Sequence, residues 1–316
     1  MQKLKLQTLS SQTFEDKIVL VSVAVIAYNV GEYISEALDS ILSQEVDFRV
    51  EIVVGEDCST DSTRQILRRY HEKYPDIICV LEHPENLGLT PNSVETQNAC
   101  RGKYIALCDG DDYWTDNNKL KLQIDFLETH PEYSATGHQS HVIYNPKFGK
   151  QSHLFRPEMN EDCDLGIPET IRHRKFHTSS LVYRRKYWVE SGGIPPSISS
   201  NERAIYPMLA IYGKIRYFPE SMCVYRLGGS GLSSRITAEE LATDVAMIPW
   251  LKSLSDEFPA SRFRAFLHLC AFTYPHQVSL KNLLYHYFYF LFYSFSYFPV
   301  NLRDVKNGTL DMIRKF

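Results

Sequence analysis

The chain has 316 residues, enough for one large α/β domain with an appended segment or for two modest domains; at 44% hydrophobic and 23% charged residues, wholesale disorder is excluded. A formal net charge of −4, with no basic stripe, argues against a nucleic-acid partner. Seven scattered cysteines without a C-x-x-C pair suggest neither a zinc site nor a complete disulfide framework, and they read as reduced, mostly buried thiols.

Residues 1–17 form a polar N-terminal extension of mixed charge without the apolar core of a signal peptide, so the expected location is the cytoplasm. The run from Ile18 to Ile26 is apolar and rich in β-branched residues, as a strand covered on both faces requires. Ile34, Ala37, Leu38, Ile41 and Leu42 recur at helical spacing, and the short run Val50–Val54 closes a β-α-β unit. The polar stretch Glu56–Asp61 supplies capping side chains ahead of a second helix carrying Ile66, Leu67 and Tyr70. A third strand follows at Ile77–Leu81, a loop with Gly88, a helix over 92–101, and a fourth strand at Tyr104–Cys108 that runs into Asp109-Gly110-Asp111-Asp112.

Strands alternating with helices predict a doubly wound α/β sheet, in which ligands sit beyond the carboxyl ends of the strands. Tyr28-Asn29, Glu56-Asp57 and the acidic loop Asp109–Asp112 all fall on that rim. Past about 146 the pattern weakens, and apolar strands return near Ser180–Tyr183 and Met222–Tyr225. After Ser234 the chain reads as helices. The expected organisation is an extension over 1–17, a domain over 18–235 and a helical region over 236–316.

A lone Asp-x-Asp is a common accident, and its plain reading is a solvated turn. Here the carboxylates follow an apolar strand directly and precede Tyr113-Trp114 and a helix with Leu120, Leu122, Ile124 and Leu127, so they are held on a rigid rim. Clustered negative charges repel unless a cation joins them, and a few hard oxygen ligands with open positions suit Mg²⁺ or Mn²⁺ bridged to phosphates.

The ordered segments Val21–Asn29, Glu51–Asp61, Asn86-Leu87-Gly88 and Gly102–Asp112 together resemble the motifs of the family 2 inverting glycosyltransferases of the GT-A fold. The resemblance is strong over roughly the first 130 residues and looser to about 235. It implies a GT-A type, Rossmann-like nucleotide-binding domain with a mixed, mostly parallel sheet, divided into a donor-binding half (18–130) and an acceptor half (131–235). It also implies transfer of a hexose or N-acetylhexosamine unit from a nucleotide-diphospho-sugar, a UDP-sugar by family frequency, to a saccharide or lipid-linked saccharide in surface polysaccharide or glycolipid synthesis. By the same resemblance Ala27, Tyr28, Asn29, Asp57, Asn86 and Gly110 contact the donor, with Asp57 accepting from the base. Asp109 touches the ribose or the metal, and Asp111 ligates the metal. Asp57 has a competing reading as the cap of the next helix, and Asp112 reads as supporting the loop or starting a helix rather than as a ligand.

Inverting transfer needs a base opposite the departing diphosphate. In relatives of this type the base lies in a Glu-Asp or Asp-Arg type motif before a helix; Asn201-Glu202-Arg203 precedes the helical run Ile205–Lys214, so the resemblance makes Glu202 the candidate base, against a plain reading as a first-turn glutamate. Met222–Ser233 resembles the family's mobile Tyr-Arg-x-His-x-Gly-Gly segment, which makes Arg226 a candidate phosphate contact. Gly228 stands where many members carry histidine. His177 could compensate, although a lone histidine is more often structural.

No G-x-G-x-x-G follows the first strand, which argues against a hydride-transferring Rossmann enzyme, and the glycine-rich loop of a sugar-nucleotide pyrophosphorylase is also missing. The alternative to an active transferase is a catalytically weak or inactive relative that binds sugar nucleotides. In the C-terminal region, 10 of the 14 residues from Tyr285 to Phe298 are Tyr or Phe. On a helical wheel they form an imperfect amphipathic stretch, read either as an interfacial helix on the inner face of the cell membrane or as a helix packed on this domain or on a homodimer partner.

Overall fold

The structure, a computed structural model, describes residues 18–145, 149–172, 174–198, 200–227, 244–273 and 280–295, together with 305, 306 and 309. The extension 1–17, Gly228 and the boundary expected near 235 lie outside these residues.

The first half follows the expected alternation: β1 (Val21–Ala27), α1 (Ile34–Leu42), β2 (Val50–Glu56), α2 (Thr63–Lys73), β3 (Ile78–Glu82), α3 (Leu89–Ala99) and β4 (Tyr104–Asp109). β1 lies parallel to β2 on one side and to β4 on the other, and β3 extends the sheet beyond β2. The chain therefore reverses its direction of growth between β1 and β4, which is the crevice where doubly wound sheets bind ligands. Ile18 is 90% exposed and the first strand begins only at Val21, because no neighbouring strand extends to cover its start. α3 begins at Leu89, three residues earlier than the apolar pattern suggested, with Pro91 in its first turn, where a missing amide costs no hydrogen bond.

Alternation along β1 builds the two cores. Val21, Val23, Val25 and Ala27 pack with Ile34, Leu38 and Ile41 of α1 and with Leu120, Ile124 and Leu127 of α4 (Lys119–Thr129). Ala24 faces the opposite layer, with Ile105 and Leu107 of β4 and the later helices.

The second half turns the sheet mixed. It comprises β5 (Tyr113–Trp114), β6 (Tyr133–Tyr144), β7 (His153–Leu154), β8 (Cys163–Leu165), α5 (Ile167–Thr170), a 3-10 turn (Thr178–Ser180), β9 (Val182–Arg184), α6 (Arg185–Glu190), α7 (Asn201–Tyr212) and β10 (Lys214–Leu227). β9 runs antiparallel to β4 and β6, and β6 runs parallel to β10. The main path of the ten-stranded sheet is β3-β2-β1-β4-β9-β6-β10-β5, with β7 on β6 and β8 on β10. The strand expected over Ser180–Tyr183 starts at Val182, because Thr178–Ser180 coils into the 3-10 turn.

β6 has no counterpart in the apolar pattern because its buried residues include Ser134, Thr136, His138, Gln139 and Ser140. Several of these polar groups are satisfied internally: Ser134 Oγ donates to Gly213 O at 3.1 Å, and Gln123 Nε2 donates to Thr136 Oγ1 at 3.0 Å.

The last described helices are α8 (Met247–Leu254), α9 (Ala260–Thr273) and α10 (Leu280–Phe295). Met247, Ile248 and Leu251 of α8 and Phe263 and Leu267 of α9 join the core that holds Ala204, Ile205 and Met208 of α7. No helix among the described residues is long and apolar enough to cross a membrane. None of the seven cysteines forms a disulfide.

Gly137 on β6 tests how tightly the acceptor-side layer is packed. A Cβ there would come within 2.4 Å of the Phe176 ring, and Phe176 is 1% exposed and packs edge-on against Tyr206 at 5.0 Å between centroids. Gly137→Ala is expected to destabilise by about 1–3 kcal/mol, the usual cost of overpacking. A urea midpoint equal to that of the parent would show that the layer gives way freely.

Candidate active site

Three strand ends shape the site. Ala27 pairs with Glu56 across β1 and β2, and Ile26 pairs with Asp109 across β1 and β4, so Asp57 and Asp109 flank the end of β1. Tyr28 follows at the rim, 47% exposed. Asn29 and Cys58 both take left-handed backbone conformations, φ 53° and 57°, which turn the chain out of the strands. Asn29 Oδ1 accepts from Thr60 N at 2.8 Å, tying the two turns together.

Asp57 is buried, and its amide donates to Ala27 O at 3.0 Å. Its two carboxylate oxygens accept from the amides of Leu87 at 2.7 Å and Gly88 at 3.0 Å, while Asn86 Nδ2 donates to Asp57 O at 3.1 Å. Gly88 has φ +86°, a conformation that glycine adopts without strain. Asp57 therefore clamps the 86–88 loop and does not cap α2. That capping falls to Asp61, whose Oδ1 accepts from Thr63 N at 2.9 Å. Glu56, expected on the rim beside Asp57, is instead fully buried; it accepts from Ser59 N at 2.6 Å and from Arg64 Nε at 2.6 Å.

The acidic loop is built from close approaches. Gly110 N donates to Ile26 O at 2.9 Å, and a Cβ at this glycine would meet that oxygen at 2.7 Å, so only glycine lets the loop lie against β1. Asp112 is fully buried: Oδ2 accepts from Ser179 Oγ at 2.6 Å and Oδ1 accepts from Arg226 N at 2.9 Å. Tyr113-Trp114 forms a short strand on β10, so Asp112 does not start a helix. Ser179 Oγ also accepts from Asp109 N at 3.1 Å, so one hydroxyl joins two of the loop's aspartates.

Asp109, Asp112 and His177 each offer a ligand atom, and these atoms lie within 4.8 Å of one another. Asp111, the other expected ligand, is not in that group; its side chain is partly exposed beside Arg226. Arg226 Nη1 donates to Asp111 O at 2.6 Å, and the guanidinium lies over the rings of Tyr33 at 4.9 Å and Tyr113 at 4.6 Å. His177 is buried and stacks on Tyr225 at 3.8 Å between centroids. Burial first, then the positive charge of Arg174, holds its pKa well below the usual histidine range, so the imidazole is neutral.

A pocket joins the acidic loop to α7. Ile26, Asp109, Ser93, Thr178, Asn201 and Glu202 are among its walls, so the expected base and the expected metal or ribose contact face one space. Glu202 receives a hydrogen bond from Arg174, and Thr178 Oγ1 donates to Asp109 Oδ2 at 3.3 Å. Burial first, then the charges of Glu202 and Asp111, raises the Asp109 carboxyl to about 8. The carboxyls of Asp111 and Asp112 are also raised, again chiefly by burial.

With this geometry in place, comparison with known proteins defines the class. A model described as "Glycosyl transferase family 2" matches residues 22–193, more than half of the chain, and the chain belongs to that family. The uncharacterized protein Rv1520 of Mycobacterium tuberculosis is 36% identical over 211 residues, 67% of this chain and 60% of that protein, so the chain spans about three fifths of this relative's length. Staphylococcus aureus TarS 1–349, solved in complex with UDP-GlcNAc, shares the fold with a TM-score of 0.61 at 18% identity, over 94% of this chain and 81% of that one. The mannosyltransferase PcManGT of Pyrobaculum calidifontis, solved with GDP-Man and Mn²⁺, gives 0.53 at 20% identity, over 96% and 90%.

The raised Asp109 carboxyl has a consequence for the metal-free protein. An unfolded aspartate titrates near 4, about four units below the folded value. The folded chain therefore holds this proton more tightly, and the group's contribution to stability falls as pH rises from about 4 to about 8. Asp109→Asn is expected to raise the metal-free Tm relative to the parent at pH 8, with the gain shrinking toward pH 5. A difference independent of pH would contradict the assignment.

Proposed function

We propose that this chain is an inverting glycosyltransferase that moves a sugar from a UDP-sugar to a saccharide hydroxyl with the help of a divalent cation, Mn²⁺ or Mg²⁺. The observation that carries this reading is the pocket at the ends of β1 and β4, where Asp109 and Glu202 face each other. Membership of glycosyl transferase family 2 supports it, as do structural neighbours solved with UDP-GlcNAc and with GDP-Man and Mn²⁺.

The acidic loop fits a hard divalent cation. Three aspartates with raised carboxyl pKa values stand together, and a cation would relieve their repulsion. Asp109 and Asp111 are the partly exposed pair and would hold it, while Asp112, engaged by Ser179 and Arg226, fixes the loop from behind. Bound there, the cation would neutralise charge on the donor diphosphate as it departs. Arg226 would add a second positive charge at the same rim. Ala27, Tyr28, Asn29, Asp57, Asn86 and Gly110 would shape the nucleoside side, with Tyr28 offering an exposed ring and Asp57 and Asn86 holding the loop that closes it.

Glu202 would accept the acceptor's hydroxyl proton as that oxygen bonds to the anomeric carbon and the bond from that carbon to the diphosphate breaks. Arg174 holds Glu202 by a hydrogen bond where it lines the pocket. The site can then serve as base on one side of the sugar and as diphosphate holder on the other.

Two substitutions separate these roles. Glu202→Gln is expected to leave donor affinity within about twofold while lowering the transfer rate by about 10²–10⁴, the usual effect of losing a general base. Asp111→Ala is expected to remove the Mn²⁺ dependence of donor binding, read by calorimetric titration, without lowering the metal-free Tm. A Glu202→Gln enzyme with parental turnover would place the base elsewhere. A parent that binds donor and never transfers would instead mark a binding-only relative.

A further inference from the structure

α10 carries its most apolar side chains outward. Leu283, His286, Phe290 and Ser294 are buried, whereas Leu284, Tyr285, Phe288, Phe292 and Phe295 are 49–63% exposed. Those five make up half of the ten exposed large hydrophobic residues among the described residues. At 100° per residue they share one side of the helix, and the exposed Lys281 lies on the same side. A helix that packs on its own domain in water shows the opposite pattern, apolar inward and polar outward. Here the inward side mixes His286 and Ser294 with Leu283 and Phe290, while three phenylalanines and a leucine point out.

The inward side is already filled. α10 runs antiparallel to α9, with His286 against His268 at 3.0 Å between Nδ1 atoms and Tyr293 beneath the Arg264 guanidinium at 5.5 Å. The outward face has no partner within the described part of the chain.

We propose that the outer face of α10 is a docking face for an anionic lipid bilayer surface. Charge selects this occupant. α10 contains no acidic residue, and residues 258–316 hold seven Lys and Arg against two Asp and Glu, in a chain whose net charge is −4. An aromatic helix with Lys281 on its outer face and no acidic residue suits the headgroup boundary, where phenylalanine and tyrosine partition well and cations meet anionic lipid. At 16 residues the helix is about 24 Å long, so it lies along the surface rather than crossing it.

The placement also bears on the acceptor, on the strength of the transferase reading given above. Phe290 and Ser294 of α10 share a cleft with Ile171 and Arg172, and Arg174, two residues on, is the partner of Glu202. As part of the proposal, a bilayer at α10 would present a lipid-linked saccharide near the segment that carries Arg174.

The test is flotation of the intact chain with phosphatidylcholine vesicles, with and without phosphatidylglycerol, at low and high salt. The parent is expected to float with the anionic vesicles and to dissociate as salt rises. Phe288→Glu combined with Phe292→Glu, both at exposed positions, is expected to lower vesicle partition by about tenfold or more while the circular dichroism and the UDP-induced Tm shift stay unchanged. No flotation of the folded parent would overturn the proposal, as would equal flotation of the double variant. A parent dimer in light scattering that the same substitutions convert to monomer, without vesicle binding, would assign the face to a second copy of this chain. Vesicle binding is read without catalysis, so its failure leaves the transferase reading untouched, and the failure of that reading leaves the docking face intact.

Discussion

The buried carboxylate of Asp112 is the joint on which the site depends. Through Ser179 it reaches the turn before β9, through the Arg226 amide it reaches the end of β10, and its Oδ2 lies 3.2 Å from His177 Nδ1. A carboxyl group out of water is costly unless hydrogen-bonding partners surround it, so its burial constrains every segment that supplies one. The acidic loop on β4, the 177–180 turn and the last residues of β10 must arrive together. Asp109, Asp111 and Arg226 are placed at the rim by that requirement.

Asp109 is less well served. It has one hydroxyl donor, Thr178, and shares the pocket with Glu202, so burial and neighbouring charge raise its carboxyl to about 8 where a diphosphate and its cation are proposed to bind. The stability lost by holding these groups close is the physical form of a site arranged for a partner it does not itself contain. The opposite wall is arranged differently, since Glu202 is charge-paired with Arg174. One pocket thus combines an acidic floor and a paired carboxylate on its wall, the arrangement on which the proposed transfer rests.

How far the sequence disclosed this differs along the chain. From Val21 to Asp109 each strand is covered on both faces or ends in a polar turn, so apolar runs and capping residues give the elements almost in place. β6 escaped because its burial is polar, satisfied by hydrogen bonds that only the folded partners supply. Glu202 was legible as a carboxylate in the first turn of a helix, but its shared pocket with Asp109 depends on a contact between residues 93 positions apart, which spacing does not reveal. Asp112 read as loop support, and the structure gives that support its partners in Ser179 and Arg226, 67 and 114 positions away along the chain. The aromatic run near the C-terminus was visible as amphipathic, whereas the outward direction of Leu284, Phe288 and Phe292 became readable only once α9 had taken the other side.

The central claim is that the rim at the ends of β1 and β4 binds a nucleoside diphosphate together with a divalent cation. A thermal-shift panel of UDP, GDP and dTDP, each with and without Mn²⁺, measures this directly, because a ligand that binds only the folded state raises Tm by linkage. The account predicts that UDP with Mn²⁺ gives the largest rise, about 2.7 kcal/mol of added stability at a hundredfold excess over Kd, and that UDP or Mn²⁺ alone gives much less. A panel in which no nucleotide shifts Tm, with or without the cation, would contradict it.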